Sequence, residues 1–299
     1  MKVGRLVINM IARGSRKSTL KRRAEFPPYG KYEEKIDIPY IDDGNYHHKF
    51  DVVYGKEPSK HCCIIDIHGG SYIFGEHQDQ YIFGDFFLKQ GYDFVAVDYV
   101  PNDGTRKTKD IFDDLHVCFN YIFSHWKELG LEGDDLVITG DSAGGHMALT
   151  MAELLLSKEY AAELGYSFPE IKLIACLANC PVYDFVNIGV DNLAKSGMKR
   201  MFGPTYVDKK SFELLCPRTH IDLLTCPTFV STCRNDFIRQ QSVLLNEDMK
   251  NRNQMFEFFD VNSKDKKVGH VHNVLSPFDE EGTRVNQAMV DFIEKVRKL

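Results

Sequence analysis

The feature that most constrains this chain is Gly140-Asp141-Ser142-Ala143-Gly144-Gly145, set between the apolar run Leu136–Thr139 and a segment of helical period, Ala143–Ser157. A G-x-S-x-G sequence at a strand-to-helix junction places the serine on a sharp turn, and the flanking glycines remove Cβ atoms that would clash there. Because the turn opens a helix, backbone N–H groups and the helix dipole face any negative charge developing beside the serine hydroxyl. The pattern predicts a nucleophilic Ser142 carried at the end of a buried strand.

The remaining sequence predicts a sheet to hold it. Strand candidates lie at Lys31–Ile41, Lys49–Tyr54, Cys62–Ile67, Phe94–Tyr99, Leu136–Thr139, Lys172–Leu177, Thr228–Thr232 and Met255–Val261. Four of them contain near-continuous apolar runs, as strands covered on both faces of a parallel sheet must. Helix candidates at Gln80–Gln90, Lys109–Leu129, Ala143–Ser157, Ile238–Asn251 and Gly282–Leu299 alternate with the strands. This order predicts an α/β fold with a mostly parallel central sheet flanked by helices. Its first strands should be antiparallel, since only short turns join them. Residues 182–222 interrupt the rhythm with Gly189, Gly197, Gly203, Pro204 and Pro217, and predict a small helical cap inserted over the strand ends. Residues 31–299 are thus expected to form one domain containing that cap, with residues 1–30 a basic segment adding to it.

Charge narrows the partners. The 299 residues carry a net −6, yet residues 1–23 hold eight basic side chains and no acid, leaving −14 on the other 276. Nucleic acid is not expected as a partner, because phosphate binding calls for a net basic surface. The eight cysteines lack metal-ligand C-x-x-C spacing and several sit in apolar runs, so free buried thiols and no metal are expected. No run of about 18 apolar residues is present, and the segment MKVGRLVINMIARGSRK makes a poor signal peptide. A cytoplasmic protein without integral membrane contact is the expectation. His47, His48 and His61 read as surface residues.

A serine nucleophile needs an oxyanion site, a base and an acid. His68-Gly69-Gly70-Ser71-Tyr72 follows the strand CCIIDI, and an H-G-G loop there offers backbone N–H groups to an oxyanion. Gly69, Gly70 and Ala143 are assigned that role, and His68 that of orienting the loop. The acid should follow a late strand: Asp236 after TFVSTC is preferred, Asp184 is the rival, and Asp260 within FEFFDV reads as structural. For the base, His270 is favoured as the first residue off a polar loop. His272 is the alternate, because strand-like alternation would point both the same way.

Together HGG at 68–70, GDSAGG at 140–145, Asp236 and His270 resemble the hormone-sensitive-lipase-like branch of α/β-hydrolase-fold carboxylesterases, over roughly residues 45–299. Asp98-Tyr99 is similar to the start of that family's D-Y-R-L-A-P-E signature. The His270 segment is similar to its H-V-F-N-V ending, followed here by Pro277. The chain departs from the pattern at Ser71, at Val100-Pro101-Asn102-Asp103 and at His272, none of them a preferred triad position. The resemblance implies a Ser–Asp–His triad, a helical cap and no cofactor. The expected activity is cleavage of carboxylic esters of small to medium acyl chains through an acyl-enzyme, with a small-molecule ester as substrate. An amidase or peptidase of the same fold and a non-catalytic ligand-binding homologue are the alternatives. A dinucleotide oxidoreductase is excluded, since no G-x-G-x-x-G follows the first parallel strand. Tyr72, Phe74, Met201 and Phe202 are candidate substrate contacts, and a homodimer is compatible with this reading.

Overall fold

The computed structural model describes residues 31–184, 213–250, 252 and 254–299, together with Gly14, Arg16, Lys17, Leu20, Lys21 and Ala24. Eight strands form one sheet: β1 Glu34–Pro39, β2 Lys49–Val53, β3 Cys62–Ile67, β4 Asp93–Val97, β5 Asp135–Asp141, β6 Lys172–Asn179, β7 Thr228–Cys233 and β8 Phe256–Val261. Their spatial order is β1-β2-β4-β3-β5-β6-β7-β8. β1 pairs antiparallel with β2, and β2 with β4; every later pairing is parallel.

Helices cover both faces: α1 Tyr81–Leu88, α2 Thr108–Ser124, α3 Ala143–Leu156, α4 Lys158–Glu163, α5 Pro217–His220, α6 Arg239–Lys250, α7 His272–Leu275 and α8 Glu280–Val296. Strand alternation sorts the core into two layers. Cys63, Ile65, Ile67, Val95 and Val97 pack with α2 and α3 residues such as Phe112, Phe119 and Met147. Cys62, Ile64, Phe94 and Ala96 face Phe83 and Phe87 of α1 and Met289 and Ile293 of α8. This is the α/β-hydrolase architecture expected from the sequence.

Local chemistry explains the differences in detail. The helix expected over Lys109–Leu129 stops at Ser124, where His125 leaves helical geometry and Trp126 Nε1 donates to Gly133 O at 3.0 Å. The helix expected over Ala143–Ser157 runs from Ala143 to Leu156, and Ser157 caps the following α4 by accepting from Tyr160 N. The alternation expected through His270–Val274 is not formed either. Val271 has φ +51 and starts the single turn of α7, so His270 and His272 point apart. Within the expected cap, residues 185–212 lie outside the described residues, as does most of 1–30.

Candidate active site

Ser142 sits where the strand–turn–helix pattern requires, between β5 and α3, with φ +55. Few L-residues adopt this conformation, and surrounding contacts hold it. Ser142 N donates to Asn179 O at 2.9 Å, and Ser142 O accepts from His146 N and Val182 N. A methyl group at Gly144 would overlap the Ile67 carbonyl, so glycine there is what lets α3 approach the end of β3.

The carboxyl ends of the parallel strands gather the other groups. An isolated parallel bridge between Asn235 and Gly269 places Asp236 beside His270. His270 Nδ1 donates to Asp236 Oδ1 at 2.6 Å. Asp236 also accepts from Ile238 N and from Thr232 Oγ1, each at 2.9 Å. Burial alone would raise the Asp236 pKa, but the His270 bond and its charge outweigh it and hold the carboxyl below the usual range. With Nδ1 bearing the proton, Nε2 of His270 presents a lone pair, and among the described residues it has no hydrogen-bond partner. Val271 N donates to Cys180 Sγ at 3.3 Å, one residue past the Asn179 carbonyl that holds Ser142. Ser142 and His270 therefore flank the end of β6.

The rival assignments are occupied elsewhere. Asp184 Oδ2 accepts from Arg218 Nη1 at 2.8 Å, while its N–H donates to Gln241 Oε1 at 2.7 Å. His272 Nε2 lies 2.7 Å from Asp279 Oδ2, an acid at the start of α8. Asp260 pairs with Arg239.

The H-G-G loop differs from expectation at one position. Gly69 N donates to Asp141 Oδ1 at 2.8 Å, in place of facing a ligand. Gln80 Nε2 donates to the same oxygen at 2.7 Å, so the acid before Ser142 fixes the loop. The N–H groups of Gly70, Ser71 and Ala143 are given no acceptor by any described residue. Gly70 and Ser71 both have positive φ, +117 and +52, which turns this stretch of backbone away from β3. The assignment of Gly69 to the oxyanion site is therefore corrected, because its N–H is already bonded to Asp141. His68 is buried, with Nδ1 2.7 Å from Gly69 O and Nε2 3.2 Å from Asp98 Oδ1.

Among the candidate substrate contacts, Tyr72 is corrected: it is fully buried, and its hydroxyl meets His146 Nδ1 at 2.8 Å. His146 Nε2 reaches Leu215 O at 2.7 Å, so this imidazole ties the H-G-G loop to α3 and to residue 215. Phe74 is half-buried, and Met201 and Phe202 lie outside the described residues. Phe237, which sequence reasoning passed over, is 78% exposed with its ring centroid 4.4 Å from that of His270. An aromatic residue directly after the catalytic-type acid was the available signal. Also unforeseen is a buried amide chain beneath the site. Ser231 Oγ and Asn273 Nδ2 donate to Asn179 Oδ1 at 2.8 and 2.7 Å, and Asn273 Nδ2 also reaches Asn286 Oδ1 at 3.0 Å.

Two stability predictions arise here. Tyr72→Phe leaves His146 Nδ1 buried without its donor, which should cost about 1–3 kcal/mol; the urea midpoint should fall with an unchanged slope. Second, burial pushes the His146 pKa down to about 4, against the opposing bond to Leu215 O. Since the unfolded side chain titrates near 6.5, unfolding takes up a proton between those values. The stability present above about pH 6.5 is therefore lost as pH falls toward 4, by on the order of 3 kcal/mol. His146→Gln should flatten that limb of a stability–pH profile.

Comparison with known proteins places the chain. The curated relative named probable carboxylic ester hydrolase LipM, from Mycobacterium tuberculosis, is 26% identical over 221 residues, covering 70% of this chain and 49% of that protein. The chain thus spans about half the length of that relative. The structure of esterase B from Lactobacillus rhamnosis superposes with a TM-score of 0.81 at 19% identity, covering 100% of this chain and 97% of that one. A hyperthermophilic esterase from the archaeon Pyrobaculum calidifontis gives a TM-score of 0.66 at 18% identity, over 95% and 92% of the two chains. At these identities the likeness to solved structures speaks for the fold. The BD-FAE family matches residues 50–249, about two thirds of the sequence. The chain belongs to the BD-FAE family, on the α/β-hydrolase fold.

Proposed function

We propose that the protein is a carboxylic ester hydrolase that uses Ser142 as nucleophile, His270 as base and Asp236 as the acid that orients it. The observation that carries this reading is the Asp236–His270 hydrogen bond at 2.6 Å, which leaves Nε2 as the lone-pair nitrogen of a histidine at the same end of the sheet as the strained serine. His270 Nε2 takes the Ser142 proton as Oγ attacks the ester carbonyl. Asp236 stabilises the imidazolium that forms. The N–H groups of Gly70, Ser71 and Ala143 receive the oxyanion, each such donor being worth about 3–4 kcal/mol in a site of this kind. The leaving alcohol takes the proton from Nε2, and water repeats the sequence on the acyl-serine.

Small to medium acyl chains suit the site, with the exposed Phe237 ring supplying one apolar wall beside His270. Arg16, from the basic N-terminal stretch, pairs with Glu76 and Asp79 just past the H-G-G loop, which supports placing that stretch over the same side. Eight buried free thiols support a reducing compartment such as the cytoplasm. A serine-reactive fluorophosphonate should modify Ser142, read by peptide mass, and p-nitrophenyl esters from acetyl to decanoyl should be turned over. Absence of both labelling and turnover in the folded protein would overturn the assignment in favour of a binding protein.

A further inference from the structure

A second cluster of chemistry-bearing side chains lies on the antiparallel side of the sheet. His77 follows the H-G-G loop and is completely buried. Its Nδ1 meets Asp98 Oδ2 at 2.8 Å. Among the described residues its Nε2 has no hydrogen-bond partner, although it points at two carboxylates: Asp51 Oδ2 at 3.4 Å and Asp37 Oδ1 at 3.7 Å. Asp51 is buried on β2, where Oδ2 accepts from Tyr81 OH at 2.6 Å and Oδ1 from Asp37 N. Asp37 lies where β1 breaks register between Lys35 and Ile38, with φ +55. That irregularity turns a strand residue inward toward the histidine. The Asp37 side chain remains 43% exposed, with Lys49 Nζ 3.4 Å from Oδ1.

An imidazole that donates from Nδ1 to Asp98 directs a lone pair from Nε2. A lone pair facing two carboxylate oxygens is repulsive unless a proton or a metal cation stands between them. The separations fit a shared cation better than direct bonds. They exceed an N–H···O hydrogen bond, and two donors each about 2.0–2.1 Å from a tetrahedral metal lie roughly 3.3 Å apart. Asp98 completes the pattern as the carboxylate that orients a metal-ligating histidine through its other nitrogen.

We propose that Asp37 Oδ1, Asp51 Oδ2 and His77 Nε2 bind one divalent transition-metal cation of the zinc type. One nitrogen and two carboxylate oxygens suit a borderline cation, and they disfavour the all-oxygen coordination of Ca2+ or Mg2+. Water completes the coordination on the exposed Asp37 side, which is also the entry path. The bound cation ties β1 and β2 to Asp98, and Asp98 in turn holds His68 at the base of the H-G-G loop. The site departs from the sequence expectation of no metal, because its ligands come from three separate segments with no recognisable spacing.

The test uses the full chain, stripped with chelator and titrated with Zn2+ by calorimetry and with Co2+ by absorption. The expected result is one cation per chain, a raised unfolding midpoint, and a Co2+ spectrum without a thiolate charge-transfer band. Asp37→Asn, at a half-exposed position that preserves folding, should weaken binding by at least about tenfold. His77→Gln, checked by circular dichroism, should do the same. Cys180→Ala should leave the stoichiometry unchanged, because the Cys180–Asp236–His270 group is a separate set of potential donors. No stoichiometric uptake would overturn the proposal and leave a proton as the occupant of Nε2. Binding untouched by Asp37→Asn, or a thiolate band lost with Cys180→Ala, would overturn it too.

Discussion

Ser142→Ala should lower kcat on a p-nitrophenyl ester by on the order of 10^6, since the proposed mechanism forms the acyl bond on its Oγ and the members of such a triad act as a unit. The fold should not change. Alanine keeps the Cβ that the φ +55 turn already accommodates, and the bonds anchoring this residue are made by its backbone N–H and C=O. Fluorophosphonate labelling should vanish with turnover, while the urea midpoint stays within about 0.5 kcal/mol of the parent in stability. Wild-type turnover in this variant would remove Ser142 from the mechanism. A collapsed midpoint would instead assign the serine a structural role, which the backbone anchoring argues against.

Much of this site could be read from sequence because its parts lie at element boundaries with strong local signals. Gly140–Gly145 needs a strand before it and a helix after it, and the apolar run Leu136–Thr139 together with the amphipathic segment beyond supplies both. The antiparallel start of the sheet was legible from short connections alone. Side-chain partners across the fold were not. Gly69 looked like an oxyanion donor until Asp141, 72 residues away, accepted its N–H. Tyr72 looked like pocket lining until His146 took its hydroxyl into the core. His47 and His48 read as surface residues, yet His47 Nδ1 lies 3.1 Å from the buried Asp98 and His48 is 9% exposed. Polar residues on a sheet's antiparallel side have no periodic signature when their partners come from different segments. The helical turn after His270 was invisible for a related reason: Val271 is left-handed against its intrinsic preference, with its N–H donating to Cys180 Sγ, 91 residues away in sequence.

The choice between Asp236 and Asp184 gives the second large effect. Asp236→Asn should lower kcat by on the order of 10^4. Asp236 receives three hydrogen bonds, from His270 Nδ1, Ile238 N and Thr232 Oγ1. An amide has one acceptor oxygen for these donors. If its NH2 faces His270, the proton moves to Nε2 and the imidazole can no longer accept from Ser142; if it faces Thr232, the geometry survives but the imidazolium loses its counter-charge. Either way the wild-type charge is what matters, because the carboxyl is held below its usual range and is ionised throughout the neutral region. Asp184→Asn touches a different construction. It weakens the ion pair with Arg218, whose side chain is 36% exposed, so screening limits the cost to about 1 kcal/mol. The backbone N–H groups of Tyr183 and Asp184 that donate to Gln241 are untouched. Turnover in Asp184→Asn should therefore stay within a few-fold of the parent. A large loss in Asp184→Asn with near-normal turnover in Asp236→Asn would reverse the assignment of the acid, and the 2.6 Å contact between Asp236 and His270 would then need a purely structural explanation.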